Sequence, residues 1–399
     1  MDEIRQIEAD SLKRNLKWFK ESGIMDPADG SWGLAERIAL TEDNSAIEAI
    51  KKAFTAYSDF DGYSVIEHRR PDCNFEAALM FLLAAEVFDS SDMHQTASNI
   101  LHFLFRRSCT RNEIEDNNVR FMWRWASGYW WQPYYVDDNS WNGALSIMIG
   151  RRYPDLNAQH SLVDKGIETI ETIRVSLQNY LDGKEQPKDQ PPVSGLELSP
   201  HFAALAIMAF AHSWKAFQNS NLQSTALQYI DRVQDKKQSF SSSEHGYYLM
   251  GNACCASAFE DDCFLKEARE SANYILSIMS PEGLIPSEHN EAPTGKNLVD
   301  TIYTQNWCAL GLHAIWKLTG DTAYREAYER SVRLLASIQD DTPAPHFNGC
   351  WRGMYDMEKR AWGGGDKYEG GAGSIYSGWT NAPISFTFAM DILGLSLLP

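Results

Sequence analysis

The chain has 399 residues, of which 44% are hydrophobic and 23% charged, a composition typical of a folded globular protein. Its formal net charge is −18 at pH 7 and Lys and Arg form no block, which argues against nucleic acid and anionic membrane surfaces as partners. The 7 Cys residues show no CxxC or Cys/His spacing, so the sequence predicts no disulfide framework, no metal site and no cofactor.

The N-terminal segment is charged and amphipathic and lacks the apolar core of a signal peptide. No run of about 18 apolar residues occurs, so no membrane-spanning helix is predicted. We therefore expect a cytoplasmic protein, or a secreted or periplasmic one if a signal peptide preceded this sequence.

Helical periodicity dominates the chain, and the predicted helices are of two kinds that alternate along it. One kind is amphipathic with a charged face: Ile4–Lys20, Met93–Arg107, Ala158–Leu181, Leu222–Lys237, Phe264–Met279 and Ala323–Ile338. The other kind is apolar nearly all round and is therefore predicted to be buried: Asn74–Phe88, Ser140–Ile149, Pro200–Phe217, Tyr247–Phe259, Ile302–Leu318 and Ile384–Leu397.

Six repeats of an exposed helix followed by a buried helix predict an all-α fold, an (α/α)6 barrel or six-hairpin toroid, spanning residues 1–399 as a single domain. An α-solenoid would have shorter and more uniform repeats. Long polar and aromatic inserts precede several inner helices, namely Arg106–Asp137, Gly183–Ser199, Pro281–Asp300 and Asp340–Tyr376. Loops of that length in a compact domain are usually functional, so we expect the active site at the mouth where these inserts meet.

An aromatic stretch between Phe121 and Trp141 leads into the second inner helix. Gly, Ser, Gln, Pro and charged residues separate its rings, which is loop composition rather than core composition. Rings in a polar loop favour a stacking platform for a flat ligand such as a sugar. The rings predicted to stack on the ligand are Trp130, Trp131, Tyr135 and Trp141.

Two adjacent carboxylates, Asp137 and Asp138, end this stretch. Glycoside hydrolysis uses one protonated carboxyl and one carboxylate, and repulsion between neighbours could split the two pKa values. Alternatively, Asp138 or Asn139 is only the N-cap of the helix. Asp300 also precedes an inner helix and is the candidate second carboxylate if only one member of the pair is catalytic.

Further polar and aromatic residues lie just before or at the start of inner helices. Arg69 or Arg70 could hold a carboxylate on a ligand through two hydrogen bonds. A second loop, Trp351–Asn381, combines glycines that let backbone approach a ligand with further rings, and its Asp366 and Glu369 are additional acid/base candidates. The remaining predicted binding residues are His201, His245, Tyr247, Gln305, Arg352, Tyr376, Trp379 and Asn381.

The alternation of twelve helices, together with Tyr134-Tyr-Val-Asp-Asp-Asn-Ser-Trp141 at the start of an inner helix, resembles the six-hairpin glycosidase superfamily. The Tyr-rich stretch before Asp-Asp and Trp is similar to the α-1,6-mannanase pattern. An Asp at the start of an inner helix is also typical of unsaturated glucuronyl and rhamnogalacturonyl hydrolases, in which an Asp protonates the 4,5-double bond of the sugar and activates water. The resemblance implies a catalytic role for Asp137 and Asp138 and leaves both substrate classes open.

The sequence therefore predicts a glycoside hydrolase that acts on an oligosaccharide or polysaccharide fragment by carboxylate acid/base catalysis, with a carbohydrate as its partner. A non-catalytic carbohydrate-binding protein on the same fold is one alternative. A sugar epimerase or isomerase is another, although such enzymes usually rely on paired His residues.

Overall fold

The computed structural model describes residues 3–40, 56–127, 133–289, 292–363 and 373–399. Six helices of this part form an inner ring: α2 (Pro71–Phe88), α4 (Val136–Arg152), α7 (Pro200–Ala216), α9 (Ser242–Phe259), α11 (Gln305–Thr319) and α13 (Ala382–Ile392). Six others lie outside it: α1 (Glu3–Glu21), α3 (Ser91–Arg106), α6 (Leu162–Leu181), α8 (Ser220–Val233), α10 (Asp262–Ile278) and α12 (Thr322–Ile338). A short helix, α5 (Pro154–His160), connects α4 to α6.

Each inner helix packs against the next, and α13 returns to pack against α2, which closes the ring. The predicted all-α (α/α)6 barrel is therefore confirmed. Small residues allow the inner helices to approach closely, as at Gly251 of α9, where an added Cβ would lie 2.5 Å from the Ala204 carbonyl oxygen of α7.

Four inner helices, α2, α4, α9 and α13, begin earlier than their apolar pattern indicated. Helix α2 starts at Pro71 instead of Asn74, and α4 starts at Val136 instead of Ser140. Pro is favoured in the first turn of a helix, where its missing N–H is not needed, so Pro71 marked the true start of α2. As a result, polar residues assigned to loops belong to the first turns of helices.

Short strands lie at the end of the barrel where the inner helices begin. The strands β1 (Arg37–Leu40), β2 (Tyr57–Phe60), β3 (Tyr63–Ile66) and β9 (Ser374–Tyr376) form an antiparallel sheet in the order β2-β3-β1-β9. The remaining strands are β4 (Tyr134–Tyr135), β5 (Val193–Ser194), β6 (Leu298–Asp300), β7 (Met354–Asp356) and β8 (Ala361–Trp362). The pairing of β1 with β9 joins the segment before α2 to the segment before α13.

A buried polar cluster joins the first helix to the last hairpins. The Tyr328 hydroxyl of α12 donates to Glu8 Oε1 of α1 at 2.6 Å. Asp391 of α13 lies beside them and accepts from Arg325 at 3.0 Å, with His313 Nε2 at 3.4 Å. Burial, reinforced by the Asp391 charge, raises the pKa of Glu8 from 4.5 to about 9.

We expect this carboxyl to make the stability of the fold depend on pH. A native pKa above the unfolded value gives a contribution that is complete below about pH 4.5 and is lost as pH rises towards 9. Glu8→Gln keeps an oxygen that accepts from Tyr328 but cannot ionise. The unfolding free energy of the native protein relative to this variant should therefore fall between pH 5 and 8, by up to about 1.4 kcal/mol per pH unit.

Denaturant titrations at several pH values measure this difference, and groups common to both proteins cancel. Glu3→Gln is a matched control, because Glu3 lies on the exposed side of the same helix. It should give a difference that is flat over this range. A pH-independent difference for Glu8→Gln would show that Glu8 does not hold its proton in the native state.

Candidate active site

A cavity of about 160 Å³ opens at the end of the barrel where the inner helices begin. Its described wall comes from the first turns of α4 and α7 and from the segments that enter α2, α4, α11 and α13. The lining residues are Arg70, Trp125, Tyr135, Asp137, Asp138, His201, Phe202, Ile302, Tyr303, Tyr376 and Trp379. Aromatic rings with a few convergent polar groups are typical of a small-molecule site.

Asp137 and Asp138 lie in the first turn of α4, and neither caps it. The N-cap is Tyr135, which makes no side-chain capping bond. Asn139 instead uses its amide to hold Trp123 of the preceding loop and the Tyr135 carbonyl. The capping alternative is therefore wrong for Asp138 and Asn139.

The two carboxylates point to opposite neighbours of α4. Successive residues on a helix are separated by about 100°, so adjacent side chains diverge. Asp137 faces His201 at the start of α7, whereas Asp138 faces Arg70 at the entry to α2. Both still line the cavity, because α4 lies between α2 and α7.

Asp138 belongs to a buried group of charges centred on Arg70. The Arg70 Nη2 atom donates to Asp138 Oδ1 at 2.9 Å and to Asp72 Oδ2 at 2.5 Å. Its Nε atom donates to Asp72 Oδ1 at 3.1 Å, and Nη1 donates to Glu36 Oε1 at 3.2 Å. One guanidinium thus holds three carboxylates in fixed positions.

The pKa of Asp138 is raised within this group. Burial raises its pKa well above the ordinary value of 3.8, Arg70 opposes the shift, and the Asp72 and Asp137 charges add to it, as does a hydrogen bond with Asp72. These effects favour a protonated Asp138 that faces the cavity.

Asp137 forms the second polar group of the cavity with His201. Nε2 of His201 lies 3.0 Å from Asp137 Oδ2, so the tautomer with a proton on Nε2 donates to the carboxylate. Oδ1 of Asp137 is buried and has no hydrogen-bond partner among the described residues. A buried carboxylate oxygen is costly to leave unpaired, which makes Oδ1 an acceptor suited to a ligand hydroxyl.

Trp379 forms an aromatic wall in a strained backbone conformation. Its φ is 52°, which is unusual for a residue other than glycine. The strained turn is held from three sides: the backbone N–H donates to Glu76 at 2.8 Å, the indole N–H donates to Asp72 at 2.5 Å, and the carbonyl accepts from Asn306 at 2.5 Å. The ring lies nearly parallel to His201, at 14° and 5.6 Å between centroids.

The structure brings six of the predicted site residues to the cavity: Tyr135, Asp137, Asp138, His201, Tyr376 and Trp379. Trp130 and Trp131, and the acid/base candidates Asp366 and Glu369, lie outside the described residues. Their roles stay predictions.

Three predicted residues instead hold loops and are absent from the described lining. The Asp300 carboxylate accepts from the N–H groups of Ile302 and Tyr303 at 2.9 and 3.1 Å, which positions two lining residues. Gln305 binds the 283–285 backbone through both ends of its amide. Asn381 does the same for Trp351 and the Tyr376 carbonyl.

Two of the arginines predicted to hold a charged ligand are bound elsewhere. Arg69 pairs with Glu67 at 2.7 Å and donates to the Trp32 carbonyl. Arg352 pairs with Asp340 at 2.7 Å and lies over the Phe347 ring. Neither side chain is part of the described lining.

The other predicted residues are buried beside the cavity or away from it. Trp141 is a core residue on α4 whose indole donates to Glu76. Tyr247 packs edge-on against His201, with 4.9 Å between ring centroids, and so supports it from behind. His245 stacks on Tyr274, and burial lowers its pKa to about 4, so it is neutral near pH 7.

The sequence named Arg70 only as an alternative to Arg69 for holding a sugar carboxylate. It missed Asp72 as a central residue and Trp125, Phe202, Ile302 and Tyr303 as lining residues. The motif Arg70-Pro-Asp72 contained a usable signal, because Pro at the first helical position places the following Asp in the first turn. The apolar lining residues carried no comparable signal, since similar rings occur throughout the core.

Among the described residues, no group of three or more His, Cys, Asp and Glu side chains is arranged to hold a metal ion. Over the same ranges, no helix combines the length and apolar character required to cross a bilayer.

Neither a family model nor a curated protein sequence matches the chain. Solved structures do share its fold. Cellobiose 2-epimerase from Spirochaeta thermophila is 11% identical with a TM-score of 0.61, and 98% of each chain is covered. The GH76 α-mannanase of Bacteroides thetaiotaomicron is 10% identical with a TM-score of 0.54, covering 87% of this chain and 93% of that one. A glycosyl hydrolase family 88 protein from Bacteroides vulgatus is 12% identical with a TM-score of 0.52, covering 88% and 99%. The six-hairpin fold is thereby confirmed, and the activity has to be argued from the cavity.

The wall formed by Trp379 should be sensitive to the residue before it. An added Cβ at Gly378 would lie 2.3 Å from Glu76 Oε2 and 2.5 Å from Cys73 Cα, distances that real Cβ atoms do not adopt. We expect Gly378→Ala to lower the free energy of unfolding by about 1–3 kcal/mol, the usual cost of overpacking.

Chemical denaturation followed by intrinsic fluorescence measures this effect. The matched control is Gly363→Ala, because no atom of the described residues lies within 4 Å of the Cβ position at Gly363. The control should change stability by less than about 0.5 kcal/mol, as surface substitutions usually do. Equal stabilities for the two variants would contradict the close packing of the Trp379 turn.

Proposed function

We propose that this protein is a glycoside hydrolase in which Asp138 is the general acid and Asp137 is the second carboxylate. The observation that carries the proposal is the unequal setting of the two residues in one cavity. Asp138 is buried beside Asp72 and favours its protonated form, whereas Asp137 is paired with His201. Glycoside hydrolysis requires one carboxyl that keeps its proton to act as an acid and a second carboxyl beside it.

The acid step follows from the position of the Asp138 proton. Asp138 transfers this proton to the glycosidic oxygen as the bond to the anomeric carbon breaks. Arg70 remains bound to both Asp138 and Asp72, so it stabilises the carboxylate that forms. The hydrogen bond that protonated Asp138 donates to the Asp72 carboxylate keeps the acid oriented.

The second carboxylate acts on the anomeric carbon. Asp137 either attacks this carbon directly or removes a proton from an attacking water. His201 fixes its Oδ2 atom, so Oδ1 is left for the substrate or the water. The Trp379 and Tyr376 rings supply flat apolar surface for the sugar.

Substituting the two carboxylates separately tests this assignment. Asp138→Asn and Asp137→Asn keep the size of each side chain but cannot transfer a proton. Each should lower turnover of a responsive glycoside by about 10²-fold or more, while ligand binding persists. In the native protein the turnover rate should fall at high pH, because the general acid loses its proton there. Asp138→Asn should remove this alkaline fall from the plot of rate against pH.

Asp300→Asn is the comparison substitution, because its amide oxygen can still accept the N–H bonds of the loop. It should retain most of the activity. A loss as large as that of Asp138→Asn would instead identify Asp300 as the second carboxylate. Full activity in both cavity variants would rule out acid/base catalysis by this pair.

A sugar epimerase or isomerase is the second candidate, favoured by one specific observation. His289 lies next to His201, with 5.5 Å between ring centroids, and stacks on Tyr303 of the lining. Two imidazoles near one ligand could remove and return a proton beside a sugar carbonyl. The fold is also that of a cellobiose 2-epimerase.

Deuterium incorporation separates the two candidates. An epimerase working in D2O places deuterium at C2 of the sugar, which proton NMR detects, and His289→Gln should abolish that exchange. We expect no exchange at C2 and expect His289→Gln to keep most of the hydrolytic activity. Sugar binding with neither hydrolysis nor exchange would instead favour the non-catalytic alternative.

A further inference from the structure

The charged groups around the cavity restrict which sugars it can accept. Arg70 is the one Arg or Lys side chain in the described lining, and its donors are directed to carboxylates of the protein. Three donor atoms bind Asp72, Asp138 and Glu36 at distances of 2.5–3.2 Å. The guanidinium is therefore committed to the protein and not to a ligand.

The neighbouring cation, Arg37, is likewise bound to groups of the protein. Arg37 is fully buried, donates to Glu36 Oε1 at 2.7 Å and donates to the Tyr376 hydroxyl at 2.6 Å. Glu36 thus receives hydrogen bonds from both arginines. Neither positive charge is left to neutralise an anion that enters the cavity.

The unpaired acceptor atom at the cavity, Asp137 Oδ1, has the opposite preference. Oδ1 of Asp137 is buried and lacks a hydrogen-bond partner among the described residues, so it requires a donor from the ligand. A sugar hydroxyl supplies one. A carboxylate on the sugar would meet Asp137 at close range in a setting with little water, where like charges repel strongly and desolvation of an anion is costly.

We propose that the cavity selects an uncharged sugar and excludes uronic acids. This inference rests on the proposed function, because it names the substrate class of the same site. Asp137 distinguishes neutral sugars from uronic acids, because it accepts hydrogen bonds from hydroxyls and repels carboxylates. Arg69 and Arg352, two further arginines that could have accommodated an acidic sugar, are paired with Glu67 and Asp340.

Pairs of sugars that differ only at C6 test the proposal. Glucose and glucuronate, mannose and mannuronate, and galactose and galacturonate can be titrated at pH 7 into Asp138→Asn, which prevents turnover. Calorimetry or tryptophan fluorescence reports the affinity. In each pair that binds, the neutral sugar should bind roughly tenfold or more tightly than its uronate.

A second substitution locates the cause. Adding Asp137→Asn removes the negative charge from the cavity, so the preference for the neutral sugar should fall at least several-fold. The matched control is Asp340→Asn in the same background, because Asp340 pairs with Arg352 and lies outside the described lining. The control should leave the preference unchanged.

The outcomes separate this inference from the proposed function. Equal or tighter binding of uronates overturns the inference, and hydrolysis of uronides alone would do the same while leaving the hydrolase assignment in place. A clear preference for neutral sugars without hydrolysis of any glycoside supports the inference and rejects the hydrolase. Absence of binding by every sugar of these pairs overturns the inference, whereas the hydrolase assignment is decided separately by the turnover of glycosides.

Discussion

The hydrogen bonds of Arg70 to Glu36, Asp72 and Asp138 are the constraint on which the rest of the cavity depends. These carboxylates come from three different places: the segment before β1, the first turn of α2 and the first turn of α4. Buried carboxylates this close together require a cation, and removal of one partner from such a group typically costs about 3–5 kcal/mol. Arg70 therefore fixes the segment before β1 and the inner helices α2 and α4 relative to one another. It also fixes Asp72, which holds the Trp379 indole.

The architecture could be predicted from the sequence because the barrel follows from burial alone. An inner helix is surrounded by protein and is apolar all round, whereas an outer helix has one solvent face. The hydrophobic periodicity of the sequence did not locate the first turn of the inner helices. The turn beginning at Val136 carries Asp137 and Asp138, and polar residues at a helix start read equally well as caps or loop. The same effect placed Asp72 in a loop, although Pro71 marked the start of its helix.

The individual site residues were harder to predict because one residue type serves opposite purposes. Trp141 and Trp379 are both nearly buried rings, yet Trp141 packs in the core on α4 while Trp379 lines the cavity from a turn with φ of 52°. Gln305 and Asn381 have their amides bonded to loop backbone on both sides, so they position the wall instead of binding a ligand. These differences depend on tertiary partners, which local sequence does not encode.

The first turn of α4 shows how one helix can give two adjacent carboxylates different chemical character. A helix N-terminus favours negative charge, and this applies nearly equally to Asp137 and Asp138. Asp138 points to α2, where burial raises its pKa most; Arg70 opposes this shift, and the Asp72 and Asp137 charges add to it. Asp137 points to α7, where His201 Nε2 lies 3.0 Å from its Oδ2 atom. The 100° step of the helix thus gives two adjacent carboxylates different partners around one cavity.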